Sequence, residues 1–183
     1  IRADDLPGPI PYLKPDNRLV ADWAARMGTT NSLKVGIAWA GSPAQSNDRN
    51  RSVRPELFAP LATANGAVVF YSLQVGAAAS DTTRFPFPLT DFAAQIHDLA
   101  DTAALMANLD LVITVDTSVV HLAGAMGRKT WLLRPNVADW RWRIGDRESP
   151  WYPHVRVFRQ AQVGHWEPLM GEVARALARE SAK

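Results

Sequence analysis

The chain has 183 residues, 47% of them hydrophobic, which is enough for one substantial core but short for two independent domains. Its formal net charge is only +2, and the arginines are spread along the chain, so it carries no basic footprint for nucleic acid. No apolar run approaches the ~20 residues that span a bilayer. Cysteine is absent, which removes disulfide and thiolate chemistry and fits a reducing, cytoplasmic setting.

The chain opens at Ile1 and runs into a Pro-rich stretch, Leu6-Pro7-Gly8-Pro9-Ile10-Pro11-Tyr12-Leu13. No charged segment followed by an apolar one marks a signal peptide, and the opening reads as an interdomain linker in a piece of a longer protein. From Pro15, Leu19, Val20, Trp23, Ala24 and Met27 recur at helical spacing, with Gly28 as the stop. Residues 1–30 are therefore expected to be linker and leading helix, and residues 31–183 the folded domain.

Lys34 to Trp39 reads as a buried strand ending in Ala40-Gly41-Ser42-Pro43. A polar loop, Gln45 to Ser52, leads to a helix expected from Pro55 to about Ala64, and Val68 to Leu73 is a second apolar strand. A long irregular connection follows, with Ile96 assigned to a short strand and Asp101 or Thr102 to the cap of a helix reaching Ala107. Leu111 to Val115 is the clearest strand. Asp116-Thr117-Ser118 caps a helix that Gly127 stops, and Thr130 to Leu133 is another strand. After a Trp- and Arg-rich loop over residues 134–154 come a last strand, Val155 to Phe158, and a helix from Pro168. Its Leu169, Met170, Val173, Ala176 and Leu177 share one face.

Short continuous apolar strands alternating with helices predict an α/β fold, a three-layer Rossmann-like doubly wound parallel sheet. In such a sheet the carboxyl ends of the strands share one edge, where ligands bind. Gly41-Ser42, Leu73-Gln74, Asp116-Thr117 and Arg134-Pro135 converge there.

The strongest local signal runs from Val115 to Ala125. A strand enters a helix whose first turn carries Thr117 and Ser118, and the free N–H groups of that turn suit a diphosphate. Asp116 is assigned to holding the turn, and His121, one helical turn on, reaches the same anion. A second signal joins Gly41 and Ser42 to the loop bearing Arg49 and Arg51, either of which suits phosphate. Asp139-Trp140-Arg141-Trp142-Arg143 is the third, fit for stacking on a base or sugar ring or for docking on another domain. Each stretch also has a plainer reading: a capped helix with a half-buried histidine, a solvated loop, and tryptophans closing the core.

Other chemistries lack their motifs. No G-x-G-x-x-G follows the first strand, no P-loop motif occurs, and no G-x-S-x-G elbow is present. His97, His121, His154 and His165 are scattered without metal-ligand spacing, so no metal site is expected.

These stretches resemble the C-terminal glycosyltransferase domain of bacterial tetratricopeptide-repeat proteins. That domain is related to the lipopolysaccharide heptosyltransferases and more distantly similar to O-linked N-acetylglucosamine transferases. The matching pieces are Val35 to Gly41, Asn47 to Ser52, Asp98 to Leu105, Val115 to Gly127, Asp139 to Trp142 and Ser149 to Pro153, in order. Where heptosyltransferases show Asp-Thr-Gly-Pro-x-His, this chain has Ser118 and Val119 in place of Gly-Pro.

The resemblance implies the C-terminal lobe of a glycosyltransferase B-type fold, binding a nucleoside-diphosphate sugar for inverting transfer with no cofactor and no essential metal. It assigns the diphosphate to Gly41, Ser42, Arg49, Arg51, Asp116, Thr117, Ser118 and His121, and the base or ribose to Gln74. Trp140, Arg141 and Trp142 become a sugar or acceptor loop. The implied partners are an N-terminal acceptor lobe, which carries the catalytic base, and tetratricopeptide repeats. A non-catalytic nucleotide-sugar-binding or scaffolding module is the alternative reading, with an unrelated Rossmann-like enzyme such as an epimerase behind it.

Overall fold

The computed structural model describes residues 9–64, 68–137, 139–142, 149 and 151–182. The expected linker residues 6–8, Arg143 and Pro150 lie outside them. Helix α1 (Asn17–Met27) is capped by the Asp16 carboxylate, which accepts the Arg18 N–H, and is stopped by Gly28 at φ 71°. Its Trp23 is buried, and the indole N–H donates to Asp101 of a later helix.

Strand β1 (Leu33–Ala38) is followed by a single helical turn, α2 (Asp48–Arg51), inside the expected polar loop. Pro55–Ala64 is helical but winds as a 3-10 helix. Pro60 sits in its middle and has no N–H to offer an α-helical ladder. Strand β2 (Val68–Ser72) leads to a second 3-10 run, Ala77–Arg84.

The next strand, β3, is the two-residue Leu89–Thr90 rather than a segment at Ile96, which instead closes a short 3-10 turn. Helix α3 (Leu99–Ala107) is capped by Asp98, not by Asp101 or Thr102. The Asp98 carboxylate accepts the N–H groups of Ala100 and Asp101. Asp101 is engaged elsewhere, by the Trp23 indole and the His97 N–H.

Strand β4 (Leu111–Val115) runs into α4 (Ser118–Ala125), and then come β5 (Thr130–Arg134), β6 (Val155–Arg159) and α5 (Glu167–Ser181). All six strands are parallel, in the order β3-β2-β1-β4-β5-β6. Val35, at the centre, pairs with Phe70 on one side and Leu111 on the other.

Side chains alternate across the sheet as the pleat requires. Val35, Ile37, Phe70, Leu111, Ile113, Val115, Trp131 and Leu133 point to a core closed by α5 and the 55–64 helix. Ala38, Tyr71 and Val112 point to the other face, against α1 and α3, and Leu132 meets Val120 of α4 there. Burial on both faces explains why the strands read as continuous apolar runs. The fold is thus the α/β parallel sheet with flanking helices that the sequence predicts.

Candidate functional site

Strands β1 and β4 are neighbours at the middle of the sheet, with β2 and β3 to one side and β5 and β6 to the other. Successive crossovers leave in opposite directions here, so a crevice opens above the carboxyl ends. A cleft of about 360 Å³ occupies it. Gly41 and Ser42 after β1, Thr117 and Ser118 at the start of α4, and Arg51 form its polar side. Leu73, Val75, Ala77, Ala78 and Val119 form an apolar side.

The polar side is held by a small network. Arg51 Nη1 donates to the Asp116 carbonyl at 2.7 Å, and its Nε to the Asp48 carboxylate at 3.1 Å. Among the described residues, its Nη2 has no partner. A Cβ at position 41 would overlap the Arg51 guanidinium and the Asp48 carboxylate, so this placement of the pair uses the space that glycine leaves. The Gly41 N–H donates to the Ser52 hydroxyl at 3.0 Å. Across the cleft, Thr117 caps α4 by accepting the Val119 N–H at 3.3 Å. The polar wall therefore combines one guanidinium, hydroxyls and the positive end of a helix, a set suited to an oxyanion.

Gln74 lies at the cleft floor and is buried, but its amide is taken up by main chain. Its Oε1 accepts the Trp39 and Ala40 N–H groups at 3.1 and 2.9 Å. Its Nε2 donates to the Ala40 and Val75 carbonyls. Gln74 thereby ties the ends of β1 and β2 together.

His121 and Asp116 stand on the β5 flank of the α4 terminus. The His121 ring stacks on Trp142 at 5.5 Å and 24°, and Tyr152 meets it edge-on. Nδ1 is 3.2 Å from the Tyr152 hydroxyl, and Nε2 is 3.9 Å from the Asp116 carboxylate. Burial holds the His121 pKa below its ordinary value, against the opposing pull of Asp116.

Below this cluster lies Arg134, the last residue of β5, only 2% exposed. Its Nη2 donates to the Trp142 carbonyl at 3.1 Å, while Nε and Nη1 have no partner among the described residues. Burial lowers its pKa, Arg159 adds to that, and Asp116 opposes it. A guanidinium desolvated with two nitrogens unmatched is costly unless an anionic or polar group meets it.

Of the sequence-predicted residues, Gly41, Ser42, Arg51, Gln74, Thr117 and Ser118 line one cleft. Asp116 and His121 adjoin it on the flank. Arg49 is exposed, away from the cleft lining. The loop tryptophans divide: Trp142 is buried, whereas Trp140 is 73% exposed, edge-on to Trp151 at 6.1 Å. Arg141 lies over Trp140 and pairs with Asp139 at 2.9 Å.

Tyr152 was legible only as part of a motif and Arg134 only as a strand end. The signal for Arg134 was a charge closing the otherwise apolar run Trp131-Leu132-Leu133.

Fold and crevice together define an α/β lobe with an open cleft at the carboxyl ends of its strands, and comparison with known proteins shows what it resembles. Residues 83–163 match the family model described as Glycosyltransferase family 9 (heptosyltransferase). The structure is similar to the Escherichia coli ADP-heptose lipopolysaccharide heptosyltransferase II, with a TM-score of 0.66 at 14% identity, over 98% of this chain and 57% of that one. It is also similar to a family 9 glycosyl transferase from Veillonella parvula, with a TM-score of 0.63 at 16% identity, over 92% and 52%. A curated relative, Protein FlbA of Caulobacter vibrioides, is 35% identical over 186 residues, 96% of this chain. The chain spans 30% of that relative's length and a little over half of the two solved structures. Among the described residues, no helix is long and apolar enough to cross a membrane.

Proposed function

We propose that this chain is the donor-binding lobe of an inverting glycosyltransferase that takes a nucleoside-diphosphate sugar, without metal or cofactor, with residues 31–183 as the lobe proper. The observation that carries the reading is the cleft at the β1–β4 crossover. There the partly unsatisfied Arg51 guanidinium faces the capped start of α4. Its polar side suits the diphosphate and its apolar side a base or ribose.

Leaving-group charge would be stabilised by Arg51, the α4 N-terminus and the His121 side chain, which do the work a cation does in other transferases. The match to family 9 supports the transferase class. In this reading an N-terminal lobe supplies the acceptor site and the catalytic base, tetratricopeptide repeats accompany it, and the protein works in the cytoplasm.

The test is calorimetric titration of the chain with UDP, GDP, ADP and CDP, with and without magnesium, beside Arg51→Ala and the pair Asp116→Ala, His121→Ala. One diphosphate is expected to bind independently of magnesium. Loss of a charge-assisted contact in Arg51→Ala should weaken it by about tenfold or more. Failure of all four to bind both this chain and one extended by its N-terminal lobe would contradict the reading and favour a scaffolding module.

A further inference from the structure

His121 is held on three sides. Trp142 stacks on one face, Asp116 lies beyond Nε2, and the Tyr152 hydroxyl meets Nδ1. The Tyr152 ring rests on Gly124 of α4, where a Cβ would overlap it, so its own position is tightly set. Burial, helped by the nearby Tyr12 phenol, keeps the Tyr152 hydroxyl protonated.

Tyr12 belongs to the segment leading into α1. That segment is docked on the end of α4 through the Tyr12 and Leu13 N–H groups, which donate to the Ala125 carbonyl at 3.0 and 3.2 Å. The leading segment thus lies beside the Tyr152–His121 pair.

A neutral imidazole has one N–H and one lone pair, and its neighbours choose between them. The Asp116 carboxylate beyond Nε2 favours the hydrogen there. Nδ1 is then the acceptor, and the Tyr152 O–H donates to it.

We propose that Tyr152 is a positioning residue that fixes His121 as its Nε2–H tautomer, with that hydrogen on the Asp116 side of the ring. The value of this arrangement for donor binding rests on the function proposed above; the tautomer itself does not. With the hydroxyl removed, Nδ1 loses its donor and the ring is free to carry its hydrogen on either nitrogen.

The test uses the chain labelled with 15N-histidine, with the His121 signals assigned by their loss in His121→Gln. At pH 8 the wild type should show a pyrrole-like Nε2 and an unprotonated Nδ1. Tyr152→Phe keeps the ring on Gly124 and deletes the hydroxyl, and is expected to move both shifts towards a mixture of tautomers. Affinity for the diphosphate that the wild type binds should fall by about threefold to tenfold in the same variant.

Asp116→Ala, which leaves the Tyr152 hydroxyl on Nδ1, should keep Nδ1 unprotonated, and it serves if Tyr152→Phe does not fold, a mixture of tautomers in it overturning the proposal. Unchanged tautomer shifts in a folded Tyr152→Phe would overturn the proposal. Shifts that move in a chain that binds no diphosphate would support the positioning role and count against the donor reading alone.

Discussion

Arg51 in the cleft and His121 on its flank are each set by a contact distant in sequence. Arg51 is aimed by the Asp116 carbonyl, 65 residues away, and the missing side chain of Gly41 makes room for it. The sequence reading joined Gly41 to the arginine loop and assigned both to the diphosphate. The structure shows that the space beside Gly41 is filled by the Arg51–Asp48 pair. His121 is set by the Tyr152 hydroxyl, 31 residues away, and its environment makes it respond to pH.

Burial lowers the His121 pKa, Arg141 adds to this, and Asp116 and Asp139 oppose it. Around and below the ordinary value of about 6.5 the unfolded chain therefore holds more protons than the folded one. The stability contribution is present above that pH and is lost as pH falls through it. A bound diphosphate reverses the bias, because an anion beside the ring favours the imidazolium. Diphosphate affinity is expected to rise as pH is lowered from 8 to 6, measured against His121→Gln, which cancels protonation of the phosphate itself. Equal slopes in wild type and variant would remove His121 from the site.

At the scale of elements, the sheet and its flanking helices were legible because burial and local chemistry agree. Leu111 to Val115 is apolar throughout and buried on both faces, and Thr117 is both the expected and the observed cap. Where the two part, the deciding contact is tertiary. Asp98, Asp101 and Thr102 are all acceptable caps in sequence, and the engagement of Asp101 by Trp23, 78 residues away, leaves Asp98 to serve α3.

The two-residue β3, set close after Pro86 and Pro88, is too short to show any period. It pairs because Phe70 and Tyr71 of β2 present a free edge. Helix α5 is the simplest of these elements to test. Its amphipathic face was predicted residue by residue, and Met170, Val173 and Leu177 are fully buried against the sheet and the 55–64 helix. Leu177→Ala should lower the free energy of unfolding by about 2–5 kcal/mol in a denaturant titration. A cost below about 1 kcal/mol would mean that α5 is not packed as described.

For the molecule as a whole, the crossover between β1 and β4 places the end of β1, the last residue of α2, the start of α4 and the end of β2 around one opening. The position of that opening follows from strand order alone, which is why an alternating apolar pattern already located it. What strand order does not supply is the division of labour around it. Together with Arg49, which the fold leaves exposed and outside the lining, sequence grouped Gly41, Ser42, Arg51, Gln74, Thr117, Ser118, Asp116 and His121 as one site. The fold sets the first six around the cleft and the last two on the β5 flank, above the buried Arg134. Gln74, read as a ligand for base or ribose, has its amide engaged by the main chain of Trp39, Ala40 and Val75.

The central claim is that a nucleoside diphosphate binds in the β1–β4 cleft, and amide chemical-shift mapping of the 15N-labelled chain tests it most directly. As the diphosphate is added, the N–H signals of Gly41, Ser42, Thr117, Ser118 and Val119 should move most, with the Arg51 side chain moving alongside them. Shifts concentrated away from these positions, for example around Lys129, His154 and Arg156 at the opposite edge of the sheet, would contradict the account.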